Sequence, residues 1–209
     1  MPDLAFEFGQ IVVAHALAVA SPGPDFALVL RQSLRRGRRA ALFTSFGISA
    51  GILVHVSYSI LGLGLFLRTS PAAFQLLKYT GAAYLAWLGV QALRSAQPRG
   101  TSLPKAPSAM QAGRHAWLQG FMTNALNVKA TLFFLALFPT VVSATTPKWV
   151  QVGYGLWMAA ATAAWFSFVS LVFTHEAARR TFLRHSHWID RLLGVVFLGF
   201  AVGLVWASV

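Results

Sequence analysis

Two short polar motifs interrupt long apolar runs in this chain: Ser21-Pro22-Gly23-Pro24-Asp25 and Asn124-Ala125-Leu126-Asn127-Val128-Lys129. Pro22 and Pro24 remove two backbone donors, and Pro24 also disfavours helix at Gly23. The carbonyls freed in this way, together with the Asp25 carboxylate, suit a cation or an ammonium group. Lys129 lies too deep in its run to be a loop charge, and suits a substrate carboxylate or Asp25 itself. Asn124 and Asn127 share a helix face at a spacing of three. On an unbroken helix Lys129 would sit about 140° round from Asn124, so convergence of the three requires a bend near residue 127. Plainer readings compete. Asp25 would serve as the cap of a half-helix beginning at Phe26, Lys129 would snorkel to the nearer interface, and the asparagines would be polar glue between helices.

Further titratable groups lie along the apolar runs. His55 follows Gly47 and Gly51 at four-residue steps, where small residues permit close helix approach. An imidazole there is a candidate proton carrier or a hydrogen-bonded structural group. His15 is a weaker case of the same kind, and Lys78 is a candidate with snorkelling as its rival. Glu7, His175 and Glu176 fall near run ends, where solvation is expected to explain them.

The elements that must position these groups are membrane helices. The chain has 209 residues, 56% hydrophobic and 11% charged, far below the roughly one-quarter charged content of soluble domains. A spanning helix needs about 20 apolar residues. Six such stretches are expected at about Leu4–Leu30, Ala40–Leu67, Ala72–Leu93, Trp117–Val142, Trp149–Phe173 and Trp188–Ala207. The first run has no basic stretch before it and reads as a retained span rather than a cleaved signal. With no cysteine, thiol and disulfide chemistry are excluded.

The net charge of +12 would suggest nucleic acid in a soluble protein. Here the basic residues sort by loop: Arg31 to Arg39 after the first run, Arg94 to Arg114 after the third, and Arg179 to Arg191 around the sixth. The other side holds Arg68 and Lys148. Lys/Arg bias faces the cytoplasm, so both termini are expected outside, with the basic loops inside against anionic lipid. No nucleic-acid partner is expected. The six helices divide as three plus three. An odd number per half forces opposite orientation, which gives an inverted repeat (about 4–93 and 117–207, linker 94–116) within one transmembrane domain covering 1–209. Interrupted helices at corresponding places in such repeats, here helices 1 and 4, mark a transporter's binding site.

These motifs resemble the LysE/RhtB family of amino-acid exporters. The resemblance rests on Ser21-Pro22-Gly23-Pro24-Asp25, on Arg35-Arg36-Gly37-Arg38-Arg39, and on Gly47, Gly51 and His55. It also rests on Lys78-Tyr79 with Ala82-Ala83-Tyr84-Leu85, and on Gly120, Asn124, Asn127, Val128 and Lys129. Val128 stands where the family pattern has proline, so the two asparagines would have to make that break through local helical adjustment. The resemblance implies a six-helix inner-membrane exporter of small amino acids such as homoserine, threonine or homoserine lactone. Export would be driven by the ion gradient, with a proton as coupling ion. Asp25 would bind the ammonium or the proton, Lys129, Asn124 and Asn127 the carboxylate, and His55 would carry protons, with Pro22, Gly23 and Pro24 shaping the site. No prosthetic cofactor is implied. The expected partners are the amino acid, the coupling ion, the bilayer and, in a homodimer, a second copy. The rival readings are a metal-ion exporter on the same scaffold, an intramembrane enzyme and a structural scaffold. The first needs clustered carboxylate or histidine ligands, the second a Ser–His or Asp–Asp constellation, and the two interrupted helices argue against the third.

Overall fold

In a computed structural model the described residues are 3–21, 23–61, 70–95, 109–143, 145–175, 188, 191–192, 194–203 and 205–206. Their regular structure is helical: α1 (Leu4–Ala20), α2 (Pro24–Arg36), α3 (Arg38–Ile60), α4 (Pro71–Ser95), α5 (Ala109–Ala125), α6 (Val128–Val141), α7 (Lys148–Phe173) and α8 (Gly194–Gly203).

The helix ends follow from local chemistry. Asp3 Oδ1 accepts the N–H groups of Ala5 and Phe6 at 3.1 Å and starts α1. The chain leaves α1 through Ser21 in an extended conformation, as a following proline demands. Pro24 stands in the first turn of α2, where its missing N–H is harmless. Arg35 and Arg36 close α2 at its negative dipole end. Gly37, at φ 82°, then turns the chain into α3; a side chain there would be strained.

The first span is therefore longer than expected: α2 runs to Arg36, not Leu30. The fourth begins at Ala109, inside the stretch read as the linker 94–116; residues 96–108 of that linker lie outside the described residues. So do residues 62–67 at the end of the expected second helix and residues 189, 190, 193, 204 and 207 of the sixth. Where both are described, the expected and observed fifth spans agree to one residue.

α3 organises the bundle. It crosses α5 with backbone against backbone: a Cβ on Gly47 would lie 2.0 Å from the Trp117 carbonyl oxygen, and one on Gly120 2.2 Å from that of Thr44. Thr44 Oγ1 spans the crossing, donating to Ala40 O at 2.9 Å and reaching Ala116 O at 3.2 Å. On its other face α3 meets α7, where Ser49 Oγ donates to Ala159 O at 2.7 Å and the Ser45 and Ser170 hydroxyls are 3.1 Å apart. Ile11, Ile52, Val56, Phe134, Tyr154 and Met158 fill one core. Val29, Ile48, Phe166 and Val169 fill a second. A third joins Ala27 and Leu28 of α2 to Leu85 and Leu88 of α4 and to Phe197 of α8.

Large apolar side chains face outward: Phe6, Val13, Leu17, Leu76, Leu156 and Phe168 are among the exposed ones. A monomeric soluble protein does not carry such a surface; it is the surface of a protein bathed in lipid. Among the described residues, α3 and α7 are each long and apolar enough to cross a membrane. Two bent pairs are each long and apolar enough when taken together: α1 with α2, bent by 55°, and Gly113–Ala125 of α5 with Val128–Phe138 of α6, bent by 53°. The chain is a helical, multi-pass membrane protein. The third and sixth spans and the threefold-plus-threefold repeat belong to the functional reading below.

Candidate functional site

The two bends lie side by side, and each is closed by a residue from the other bent pair or from α3. In a continuous helix the carbonyl of Ala18 would accept from residue 22, but Pro22 has no N–H. Lys129 takes the freed acceptors: its Nζ donates to Ala18 O at 3.2 Å and to Ser21 O at 2.8 Å. A cation at these carbonyls also meets the negative end of the α1 dipole. Pro22 itself is outside the described residues. Gly23 sits against the Lys129 side chain, with its ideal Cβ position 3.4 Å from Nζ, so a larger residue there would crowd the ammonium.

The second bend needs no proline. Asn127 leaves the helix at φ −80°, ψ 103°, and its Oδ1 accepts the Lys129 N–H at 3.0 Å, starting α6 as an N-cap. The carboxamide thereby replaces the lost intrahelical acceptor, and this is how Val128 is accommodated at the break. The Asn124 carbonyl, which Val128 would have used, instead accepts from Asn127 N at 2.8 Å and from His55 Nε2 at 2.9 Å. A carbonyl only accepts, so His55 Nε2 carries the hydrogen. Its Nδ1 then accepts from the Tyr58 hydroxyl at 2.9 Å. The ring is fully buried and stacks on Phe134, with centroids 5.4 Å apart. His55 thus has both nitrogens engaged, with Nε2 on a carbonyl freed by the break and Nδ1 on its own helix. The expectation of close packing below it holds: a Cβ on Gly51 would stand 2.7 Å from both Cβ and Oδ1 of Asn124.

Asp25 lies in the first turn of α2 and joins the two bends. Its Oδ2 accepts Nδ2–H from Asn124 at 2.9 Å and from Asn127 at 3.0 Å. The residue preceding α2 in the cap position is Gly23, with no side-chain cap bond. Asp25 is therefore not the cap of a half-helix starting at Phe26; its carboxylate is turned into the bundle. Asn124 and Asn127 are 1% and 6% exposed. Asp25 Oδ1 and Asn124 Oδ1 are buried with no partner in the protein. The bend lets Asn124, Asn127 and Lys129 converge, as the 140° argument required. Each asparagine amide gives one donor to Asp25, which leaves each NH2 group a second hydrogen.

These groups border a cavity of about 50 Å³, room for more than one water molecule at the ~10–15 Å³ each needs. Asp25, Asn124, Asn127 and Lys129 lie at one part of its wall; Ile52, Phe133, Phe134 and Phe166 make the apolar part. His15 and Thr162 also border it. Sequence reasoning ranked His15 low and missed Thr162, whose only signal was a hydroxyl in an apolar run. Lys78 lies elsewhere, its Nζ 5.7 Å from the Tyr79 ring centre.

Glu7 corrects an expectation. It is 5% exposed rather than solvated. Its carboxylate accepts from Ser143 N at 3.0 Å, from the Thr146 hydroxyl at 2.9 Å and from the Tyr154 hydroxyl at 3.3 Å. Beside it, Lys148 Nζ donates to Ile60 O at 2.8 Å. Together they tie the ends of α1, α3, α6 and α7. Partners distant in sequence made this cluster invisible beforehand. Among the described residues no three His, Cys, Asp or Glu side chains gather as a metal site, so nothing supports the metal-exporter reading.

Comparison with known proteins places this geometry. Residues 16–208 match the family described as LysE type translocator. The chain is 32% identical to the threonine efflux protein of Escherichia coli K12, over 95% of this chain and 97% of that one. It is 31% identical to the homoserine/homoserine lactone efflux protein of Salmonella typhimurium, over 69% and 68% of the two chains. A membrane protein of Haemophilus influenzae is 28% identical over 96% of each. No solved structure matches the chain.

Proposed function

We propose that this protein, which belongs to the LysE type translocator family, is an exporter of small amino acids and that threonine and homoserine are its substrates. The family is one of transporters rather than enzymes. The observation that carries the substrate reading is the pair of unpartnered oxygens, Asp25 Oδ1 and Asn124 Oδ1, beside the Lys129 ammonium at two apposed helix bends. An α-amino acid brings an ammonium with three donors and a carboxylate. The two oxygens accept from the first. Lys129, with the positive end of α6 nearby, attracts the second. Asn124 and Asn127 then act by fixing Asp25.

Alternating access is read as rocking of two inverted repeats, about 4–93 and 117–207, around this site, within six spans forming a single domain. Asp25 is the coupling group: it holds either the substrate ammonium or an incoming proton, so each turn exchanges one for the other. His55, which donates to the Asn124 carbonyl while the Asn124 amide donates to Asp25, is the second proton candidate. The orientation places both termini outside and Arg35–Arg39 in the cytoplasm, in the inner membrane, since Lys/Arg-rich loops stay inside. Homodimerisation stays a proposal resting on the lipid-facing apolar surface alone.

The test is efflux of labelled threonine and homoserine from preloaded proteoliposomes of the purified protein. Efflux that exceeds empty vesicles, and that slows when an opposing proton gradient is collapsed, supports both export and coupling. No efflux of either amino acid refutes the reading; efflux indifferent to the gradient refutes the proton.

A further inference from the structure

The cavity has a second polar place, contributed by α1 and α7. His15 is 3% exposed, and its Nε2 lies 3.0 Å from the Thr162 hydroxyl. Thr162 is fully buried. With Nε2 turned to α7, Nδ1 points away from it; that nitrogen is buried and has no partner in the protein. Both residues border the same cavity as Asp25 and Asn124. The walls around the pair are otherwise apolar: Phe133 and Trp157 contact the His15 ring at centroid distances of 6.1 and 6.0 Å. A buried polar nitrogen without a partner is costly unless something hydrogen-bonds to it. The Nε2 contact ties α1 to α7, but no group in the bundle uses Nδ1.

The placement along α1 is informative. At about 1.5 Å rise per residue, His15 is roughly 9 Å from Ser21, where the helix gives way to the break. A hydroxyl is the group that fits. It both donates and accepts, so it satisfies Nδ1 in either tautomer of His15, while the Thr162 hydroxyl rotates to match.

We propose that His15 and Thr162 form the specificity site for the substrate's side-chain hydroxyl, so that the protein selects hydroxylated amino acids over isosteric apolar ones. The inference rests on the amino-acid reading of the Asp25 site and adds to it the end of the cavity that reads the side chain. The discrimination comes from the unsatisfied nitrogen. Valine, which replaces the threonine hydroxyl with a methyl group, would leave Nδ1 buried and unpaired, and a site built to bond a hydroxyl rejects the analogue that lacks it.

The experiment is competition in proteoliposomes: efflux of labelled threonine against unlabelled threonine or valine, for the wild type, His15→Leu and Thr162→Val. The wild type is expected to prefer threonine about five- to tenfold, the equivalent of one net hydrogen bond. His15→Leu is expected to bring the ratio close to one while valine is still carried. Thr162→Val keeps the side-chain volume and is expected to lower the ratio severalfold, so it decides the matter if His15→Leu does not accumulate. A ratio unchanged in the variants, or a wild type indifferent to the hydroxyl, overturns the inference and leaves amino-acid export standing; water alone would then be the partner of Nδ1. A wild type that carries no amino acid instead overturns the reading on which it rests.

Discussion

Asp25→Asn separates charge from shape at the centre of the site. Asp25 Oδ2 receives two amide donors, from Asn124 at 2.9 Å and Asn127 at 3.0 Å. The new amide can keep its oxygen in that place, so both bonds survive as neutral ones. Hydrogen bonds to a charged group contribute about 1.5–3 kcal/mol and neutral ones about 0.5–1.5, so the two weaken by roughly 2 kcal/mol together. Against this, a buried charge is removed, which relieves a desolvation penalty of the same order or more. Folding should therefore change little, and protein level should stay near wild type. The other face of the residue changes sign: where Oδ1 stood unpartnered in the cavity, an NH2 group now meets the substrate ammonium. Losing one charge-assisted contact of about 1.5–3 kcal/mol lowers transport by roughly 10- to 100-fold. The assay is efflux from preloaded cells, normalised to membrane protein. Near-normal efflux from Asp25→Asn at wild-type level would refute the charge role and reduce Asp25 to a hydrogen-bonding post between the bends.

Three further outcomes follow from contacts at the two ends and the middle of the bundle. Gly51→Ala forces a Cβ to 2.7 Å from Asn124 Oδ1 and should lower stability by about 1–3 kcal/mol. It should reduce efflux as well, whereas Gly9→Ala, with nothing within 4 Å, should leave both unchanged; thermal unfolding in detergent and efflux read the pair. Glu7→Gln replaces a carboxylate bonded to Ser143, Thr146 and Tyr154 by a group with one acceptor and one misplaced donor. It should cost about 1–3 kcal/mol and speed protease cleavage in the loop before α7, with equal cleavage rates arguing against the tie. Because the chain has no cysteine, single cysteines report topology cleanly: Thr145→Cys should react with an impermeant thiol reagent from outside and Arg36→Cys should not, and the reverse pattern would invert the orientation.

Much of this protein is legible in its sequence. Composition decided the solvent, because a chain 56% hydrophobic cannot hide its apolar surface from water. The two polar motifs decided where the helices break, because proline removes donors whatever surrounds it and asparagine supplies the acceptor that a new helix start needs. Gly47 and Gly51 marked the helix face that is crossed closely. Tertiary structure decided who satisfies whom. The Ala18 and Ser21 carbonyls were known to be short of donors, but only packing brought Lys129 to them. His55 was a candidate by residue type, but only packing put its Nε2 on the Asn124 carbonyl, and Glu7 looked solvated until Ser143, Thr146 and Tyr154 closed round it. His15 and Thr162, 147 residues apart, share no local pattern at all. Periodicity and backbone chemistry act within a few residues and can be read along the chain. A buried polar group is paired by whatever the fold carries to within about 3 Å of it, and that distance is set by helix crossings that no stretch of sequence contains by itself.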